Sequence, residues 1–238
     1  MNIDWFVVLI AALSYLLGSI SNTRIVAKIV APNADLENVH FVDKKTQKKH
    51  RLRTISATTA SMKLGPKVGG IITLLDTLKG AIPVLVTRLL FPNAYYHLTA
   101  GLSVVAGHNW SLFYNFTGGA GFSTTNGIFF AMDWLGALIS ALTGMGLGFM
   151  AFKDMFLAFL LPPWLMTLWF WIFGYDWRYI LFGVILNIII LLKLSPDIIA
   201  YFKHRETEGI DYSSIMDQTG VGRGMKRMMQ FFGINPNK

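Results

Sequence analysis

The chain has 238 residues, of which 53% are hydrophobic and 14% charged, and its formal net charge is +8. Because soluble domains are about 25% charged, this composition excludes an ordinary soluble domain and indicates an integral membrane protein. There is no cysteine, which excludes disulfides, thiolate nucleophiles and cysteine-based metal sites. The five histidines show no metal-ligand spacing. We therefore expect neither a bound metal nor a cofactor.

Apolar runs of about 20 residues predict membrane-spanning helices. Five such runs follow one another along the chain, and two further apolar runs are too short for a full crossing. The long runs are residues 5–30, 68–90, 135–150, 156–173 and 179–194, and the short ones are 97–106 and 127–132. If both short runs are counted, the chain is an all-α membrane protein with about seven transmembrane or partly spanning helices.

Positive charge predicts the orientation of these helices. Residues 31–67 carry eight lysines and arginines against three acidic residues, so the positive-inside rule places them on the cytoplasmic or matrix side. Seven crossings then put the N-terminus outside and the C-terminus inside. We predict a single bundle over 1–201, with inner loops at 31–67 and 107–126, followed by a basic inner-side tail over 202–238. The membrane is a bacterial plasma membrane or the inner membrane of an organelle.

The loop 107–126 is polar and rich in glycine, and it lies between the two short runs. Backbone groups at membrane depth need partners from protein, water or ligand, and glycine amides can contact an anion closely. Incomplete helices around a polar loop are typical of a binding site, although short segments can also tilt or end at the interface. We interpret this loop as the functional centre.

Short motifs occur in a fixed order along the chain. They are Thr58, Leu64-Gly65, Leu75-Asp76 with Lys79-Gly80, Gly107-His108-Asn109-Trp110, Phe116 with Gly118-Gly119 and Gly121, and His204-Arg205-Glu206. This order resembles the bacterial PlsY-type acyl-phosphate:glycerol-3-phosphate acyltransferases. The resemblance implies a seven-span inner-membrane enzyme that transfers a fatty acyl group from acyl phosphate to the sn-1 hydroxyl of glycerol-3-phosphate, with three motifs on the inner face.

The motifs depart from the family pattern at chemical positions. Residues 51–65 correspond to the first motif, GSGNxGATNVLRxLG, and a lysine-rich insertion at roughly 41–50 precedes it. The departures are Leu52 for an essential serine, Met62 for an essential arginine with Lys63 one place along, Thr117 and Ala120 for the two lysines of the second motif, and Thr207 for the asparagine of the third. The glycines of the second motif are retained.

The resemblance also implies roles for individual residues. Substrate would be bound by Gly118, Gly119, Gly121, Thr117, Thr58, Lys63, Lys79 and Arg205, with His204, His108 and Asn109 in catalysis and Asp76 and Glu206 in structural roles. The residues themselves leave alternatives open. Asp76 and Lys79 are three positions apart on one helix face and can pair without any catalytic role. His108 and Asn109 can orient the glycine loop, and His204 can cap a helix end.

Two functions remain open from the sequence. One is an active acyltransferase using glycerol-3-phosphate and acyl phosphate. The other is a relative with reduced or lost activity, kept as a structural or lipid-binding subunit of a larger membrane complex. The losses in all three motifs favour reduced activity. Partners would be membrane lipids and other membrane-protein subunits. The basic residues 44–53 lack interleaved aromatic side chains, so we expect no nucleic acid.

Overall fold

The structure is a computed structural model that describes residues 4–42, 47, 49–51, 54–152, 155–208, 218 and 220–231. Helices dominate this part of the chain. They are α1 Trp5–Ser19, α2 Asn22–Val30, α3 Ala57–Leu64, α4 Pro66–Leu90, α5 Tyr96–Asn109, α6 Phe122–Met132, α7 Trp134–Gly146, α8 Met155–Ile172, α9 Trp177–Glu208 and α10 Gly220–Phe231. A 3-10 turn spans Leu112–Tyr114, and a π-turn, Leu147–Ala151, continues α7.

The predicted all-α membrane class is confirmed, with one small addition. Strands β1 His40–Val42 and β2 Lys49–Arg51 form an antiparallel hairpin. The hairpin overlaps the lysine-rich segment 41–50. Its first strand contains Phe41 and Val42, an aromatic and a β-branched residue, which suit a strand better than a helix.

Four helical segments are long and apolar enough to cross a membrane: Trp5–Val30, Pro66–Leu90, Trp134–Ala151 and Trp177–Ile199. The apolar part of α8, Leu157–Ile172, is slightly shorter. Helices α5 and α6 have 14 and 11 residues. At about 1.5 Å per residue, both are shorter than the hydrocarbon core of about 30 Å. The prediction of two short helices beside the glycine loop is therefore confirmed.

The span predicted over residues 5–30 is among these segments, but it consists of two helices with a break between them. Helix α1 ends at Ser19, and Ile20 has extended backbone with φ −67° and ψ 119°. The Ser21 hydroxyl then accepts a hydrogen bond from the Arg24 amide and caps the start of α2. A serine at this position competes for backbone groups and favours a new helix start. The break leaves the last carbonyls of α1 without partners inside the helix.

The ends of the glycine loop also differ from the prediction, because helices extend into it from both sides. Helix α5 continues through Asn109 and α6 begins at Phe122, so the part between the two α-helices is residues 110–121 and includes the 3-10 turn. Helix α9 likewise continues beyond the apolar run that predicted it, to Glu208. A run of apolar residues marks only the part of a helix that contacts lipid. Polar residues can extend the same helix beyond that part.

Helices pack closely where glycines remove side chains. A side chain on Gly18 of α1 would collide with the Val104 carbonyl of α5, and one on Gly107 of α5 would collide with the backbone of α1. Helices α4 and α6 cross in the same reciprocal way at Gly80 and Gly127. This close approach is the usual device for packing membrane helices. It brings the inner parts of α1, α4, α5 and α6 together around one site.

The bundle has two distinct ends. At the first, which we call the site end, α1 and α5 stop and α4 and α6 begin. At the other, the far end, Asp133 caps α7 and accepts hydrogen bonds from Trp169 Nε1 at 2.8 Å and the Tyr175 hydroxyl at 2.7 Å. The Arg88 guanidinium also lies there and donates to the Met132 carbonyl at 2.7 Å. These contacts join α4 to α6 and α7 to α8 at the far end.

Candidate functional site

A cleft at the site end lies where α1 stops and α2 starts. We call it the glycine cleft. It is lined by the chain break Gly18, Ser19, Ile20, Ser21, Asn22 and Thr23, by Ile55, Asp76, His108 and Ser111, and by Gly118 and Gly119 of the loop. Separate stretches of sequence therefore meet in one small polar depression.

Lys79 contacts the cleft-lining residues Asp76 and His108 and is 6% exposed. Its ammonium donates hydrogen bonds to the carbonyls of Gly18 at 3.2 Å and Ile20 at 2.9 Å. These are carbonyls that the helix break leaves without partners. The same nitrogen lies 3.3 Å from Asp76 Oδ1, so the predicted ion pair between the two residues is present. Lys79 thus holds the backbone that forms one wall of the cleft.

Asp76 is 3% exposed and needs compensation, because an isolated buried carboxylate is strongly disfavoured. Besides its contact with Lys79, the Asp76 carboxylate accepts a hydrogen bond of 2.9 Å from the side-chain amide of Asn22 in α2. Asn22 therefore joins the start of α2 to the middle of α4. The arrangement fits the structural role that the sequence predicts for Asp76.

His108 contacts both the ion pair and the loop. Its Nδ1 lies 3.0 Å from Lys79 Nζ and 3.8 Å from Asp76 Oδ1. Since an amine donates, Nδ1 is the acceptor and the proton of a neutral imidazole is assigned to Nε2. On the opposite side, a side chain on Gly119 would collide with Nε2. His108 therefore presents an N–H group to the glycine loop.

The loop glycines are required by close packing against α5. A side chain on Gly118 would collide with the His108 carbonyl, and Gly121 has φ +82° with its Cβ position only 2.6 Å from Asn109 Oδ1. The Gly119 amide donates to the His108 carbonyl at 3.2 Å, so this amide is already used within the protein. The first-turn amides of α6 follow Gly121, and a helix N-terminus attracts anions.

Two cations that our sequence reasoning missed reach the same loop. Arg24 of α2 donates through Nη1 to the Thr117 carbonyl at 3.1 Å, and its guanidinium lies 4.3 Å from the centre of the Tyr114 ring. Lys193 of α9 donates to the Asn109 carbonyl at 2.7 Å. A charged residue inside an apolar run signals a functional position. That signal was available in the runs 5–30 and 179–194.

Three buried polar side chains behind the loop have no hydrogen-bond partner among the described residues. They are Asn109, through both its amide nitrogen and oxygen, Thr124 and Thr125. All three are 0% exposed, and Thr124 and Thr125 lie in the first turn of α6. Buried polar groups are nearly always satisfied, so these atoms are available to an ordered water or a ligand.

The structure brings part of the predicted site together. Asp76, Lys79, His108, Gly118 and Gly119 line or support the glycine cleft, with Asn109 and Gly121 directly behind it. Thr117 is exposed, and its hydroxyl donates to the Asn115 carbonyl at 3.3 Å. Its carbonyl, and not its side chain, is the group that contacts Arg24.

Other predicted site residues lie elsewhere or outside the described side chains. Thr58 and Lys63 are on α3, half-buried and exposed respectively, and the nearby Ile55 is the residue that lines the cleft. We expected His204 just past a helix end, but it lies within α9. The side chains of His204, Arg205 and Glu206, and all of Leu52, are outside the part of the chain that the structure describes.

Met62 is the residue that the resemblance places at the arginine of the first motif. It packs against the apolar cluster of Ala27, Leu36, Val39 and Ile55. The loss of charge at this position is therefore matched by apolar packing around it.

Comparisons with known proteins support the resemblance. Residues 8–204 match the family model described as glycerol-3-phosphate acyltransferase. A glycerol-3-phosphate acyltransferase of Halalkalibacterium halodurans is 32% identical over 148 residues, which are 61% of this chain and 65% of that protein. One from Aquifex aeolicus is 36% identical over 135 residues, 56% of this chain and 64% of that protein. These alignments thus span slightly less than two thirds of either relative.

Solved structures agree over a longer part of the chain. The crystal structure of PlsY, described as an integral membrane glycerol 3-phosphate acyltransferase in its glycerol 3-phosphate form, superposes with a TM-score of 0.72 at 28% identity. The superposition covers 84% of this chain and 93% of the PlsY chain. The lysophosphatidic acid form gives 0.70 at 26% identity over the same shares. This chain therefore belongs to the glycerol-3-phosphate acyltransferase family of integral membrane proteins.

Proposed function

We propose that this protein binds glycerol-3-phosphate in the glycine cleft and acylates it with acyl phosphate, as a step of phospholipid synthesis. We further propose that its rate is reduced relative to relatives with complete motifs. The observation that carries this proposal is the convergence of Arg24 and Lys193 on the glycine loop. The loop lacks the two lysines of the family pattern, and these cations reach it from α2 and α9 instead.

The charge at the loop suits a phosphate monoester. Arg24 uses one guanidinium nitrogen on the Thr117 carbonyl, and an arginine offers five N–H donors in a planar fork that fits phosphate oxygens. Charge-assisted hydrogen bonds of this kind are the strong ones. The N-terminus of α6 adds positive potential on the same side of the loop. We assign substrate binding to Arg24 and Lys193 together with Gly118 and Gly121.

Lys79 has a different role in this proposal. Its ammonium already contacts Asp76, His108 and two backbone carbonyls, so it has no spare capacity for a substrate. It is a positioning residue that fixes the helix break and the tautomer of His108. This differs from the substrate-binding role that the family resemblance predicts for Lys79.

The reaction needs one bond formed and one broken. The glycerol hydroxyl oxygen attacks the acyl carbon of acyl phosphate, the bond from that carbon to the phosphate oxygen breaks, and the hydroxyl proton leaves with phosphate or a base. Because His108 Nδ1 accepts from Lys79, His108 acts as a hydrogen-bond donor through Nε2 rather than as that base. We propose His204 as the base that accepts the hydroxyl proton. Acyl phosphate already carries a good leaving group, so no further activation of the acyl carbon is needed.

Acyl transfer from palmitoyl phosphate to labelled glycerol-3-phosphate by the purified protein tests the proposal. The unaltered chain should turn over slowly, and Thr117→Lys with Ala120→Lys should be faster because two cations return to the loop. No transfer by either protein would contradict the proposal. Binding of labelled glycerol-3-phosphate, measured on the same samples, separates loss of binding from loss of chemistry.

A second function rests on a specific observation, the packing of Met62. The apolar cluster around Met62 suits a protein in which the first motif has become structural. In this alternative the chain is a non-catalytic lipid-binding or structural subunit of a membrane complex. Binding without turnover, with other membrane proteins copurifying from native membranes, would favour this alternative over the acyltransferase.

We also propose that the glycine cleft faces the cytoplasm or matrix, with the N-terminus outside. The cleft end carries the basic segment 31–67 and the C-terminal part of the chain, which supports this orientation under the positive-inside rule. A single cysteine at exposed Asn93, at the far end, should react with a membrane-impermeant reagent from outside only. Reaction from the inner side alone would reverse the orientation.

A further inference from the structure

Helix α10 lies beyond residue 204, where the match to the family model ends. This part of the chain contacts the bundle at one place and the hairpin at another. The helix contacts the π-turn at the end of α7, and Met229 on it is 1% exposed. Just before the helix, the Gln218 amide exchanges two hydrogen bonds with the Val42 backbone of the hairpin, at 2.7 Å and 3.1 Å. A segment outside the family pattern is thus docked onto the inserted hairpin.

The face of α10 opposite Met229 is exposed and carries both charge and an aromatic ring. Arg223, Arg227 and Phe231 follow one another at four-residue spacing and share this face. All three are exposed, Phe231 at 85%. Cations beside an exposed aromatic side chain are typical of a helix that lies in a membrane interface.

The position of α10 puts this face at a membrane boundary. The π-turn it contacts continues the spanning segment Trp134–Ala151, so the helix lies at the site end where that segment leaves the bilayer. We infer that α10 lies along the bilayer surface and binds anionic phospholipid headgroups. Arg223 and Arg227 contact the headgroup phosphates, and Phe231 inserts beside the acyl chains. Charge complementarity favours anionic phospholipid, because the chain carries a net charge of +8. The proposed orientation places this end of the bundle at the inner leaflet, which is anionic.

The absence of cysteine allows a site-specific probe of this contact. A Gln230→Cys variant of the full chain is labelled with an environment-sensitive fluorophore and reconstituted in nanodiscs of phosphatidylcholine, alone or mixed with phosphatidylglycerol. We expect a blue shift of the emission with the anionic lipid. The shift should be lost in about 1 M salt, where charges are screened beyond about 3 Å. A label at Asn93→Cys, at the far end, is the matched control and should not respond.

Charge variants test whether the two arginines are responsible for the lipid contact. Arg223→Gln with Arg227→Gln should abolish the shift, whereas Arg223→Lys with Arg227→Lys should retain it. Equal emission in both lipids, or a shift that survives the glutamine substitutions, would overturn the inference. Normal thermal unfolding of each variant confirms that the fold is intact.

Discussion

Arg24 of α2 donates a 3.1 Å hydrogen bond to the carbonyl of Thr117, the residue that stands where the family pattern has a lysine. A cation is thus present at this point of the loop although the motif has lost its own. The two residues are 93 positions apart in sequence, so the fold alone creates the contact. We propose that this contact allows a loop without lysines to bind a phosphate group.

Replacing Arg24 by glutamine should weaken the binding of glycerol-3-phosphate. Loss of one charge-assisted contact costs about 1.5–3 kcal/mol, which is a rise in KM of roughly 10- to 100-fold, with a smaller change in kcat. Adding Thr117→Lys to Arg24→Gln should recover much of the affinity, because it returns a cation to the same place. Steady-state kinetics with varied glycerol-3-phosphate measure both effects.

Arg178→Gln is the matched control for this prediction. Arg178 also lies over a tyrosine ring, 4.5 Å from the centre of Tyr95, but at the far end of the bundle. Its loss should leave KM unchanged. If Arg24→Gln behaves like Arg178→Gln, Arg24 does not contact the substrate.

Lys79→Met should destabilise the protein as well as disturb the site. The substitution leaves Asp76 buried with the Asn22 side-chain amide and the His108 ring but without a cation at 3.3 Å, and it removes the donor to two carbonyls of the helix break. Breaking a buried ion pair costs about 3–5 kcal/mol, and thermal unfolding in detergent should show it as a lower Tm. Lys67→Met, on an exposed lysine of the same helix, should change the Tm little.

The double variant Lys79→Met with Asp76→Asn gives a sharper test of that ion pair. Removing both charges avoids an uncompensated buried carboxylate, so the double variant should be less destabilised than the sum of the single ones. Strict additivity of the two losses would mean that Asp76 and Lys79 do not interact.

Gly119→Ala should impair activity through the position of His108. The added methyl group would meet the imidazole at Nε2, so either the ring or the loop must move. Gly70→Ala is the control, since nothing lies within 4 Å of the corresponding position on α4, and alanine is favoured over glycine in a helix by about 1 kcal/mol. Equal kcat values in the two variants would exclude His108 and this part of the loop from the reaction.

Asp133 at the far end should make stability depend on acidic pH. Burial raises the pKa of this carboxyl, but hydrogen bonds from the Gly136 amide, Tyr175 and Trp169 outweigh burial and hold it below its usual value. A depressed pKa in the folded state adds stability that is present above the unfolded pKa, about 3.9, and is lost as pH falls through the folded value. Tm should therefore drop in this acidic range.

The variant Asp133→Asn identifies the source of that dependence. It should have a lower Tm than the unaltered chain at neutral pH and a smaller further loss on acidification. The Tyr175 donor is unaffected in this range, because burial and its bond to Asp133 raise the pKa of Tyr175 to about 12. An unchanged acid profile in Asp133→Asn would assign the dependence to other carboxylates.

The amino-acid sequence by itself determined the membrane class, the approximate spans and the order of the motifs. Those features are local, because hydrophobic length and motif spacing are read along one stretch of chain. The pairing of Asp76 with Lys79 was also predictable, since residues three apart on a helix share a face. The ends of helices were harder to predict: α9 continues past its apolar run to include His204, because an apolar run marks only the part of a helix that contacts lipid.

Only the tertiary structure decided which groups meet in the glycine cleft. The break at Ile20 is stabilised by Lys79 from another helix, and the loop receives Arg24 and Lys193 from two more. Each of these contacts joins residues at least 59 positions apart, and sequence spacing carries no information about them. Reciprocal glycine contacts bring the backbones of α1, α4, α5 and α6 close enough for side chains to satisfy carbonyls left open by a broken helix.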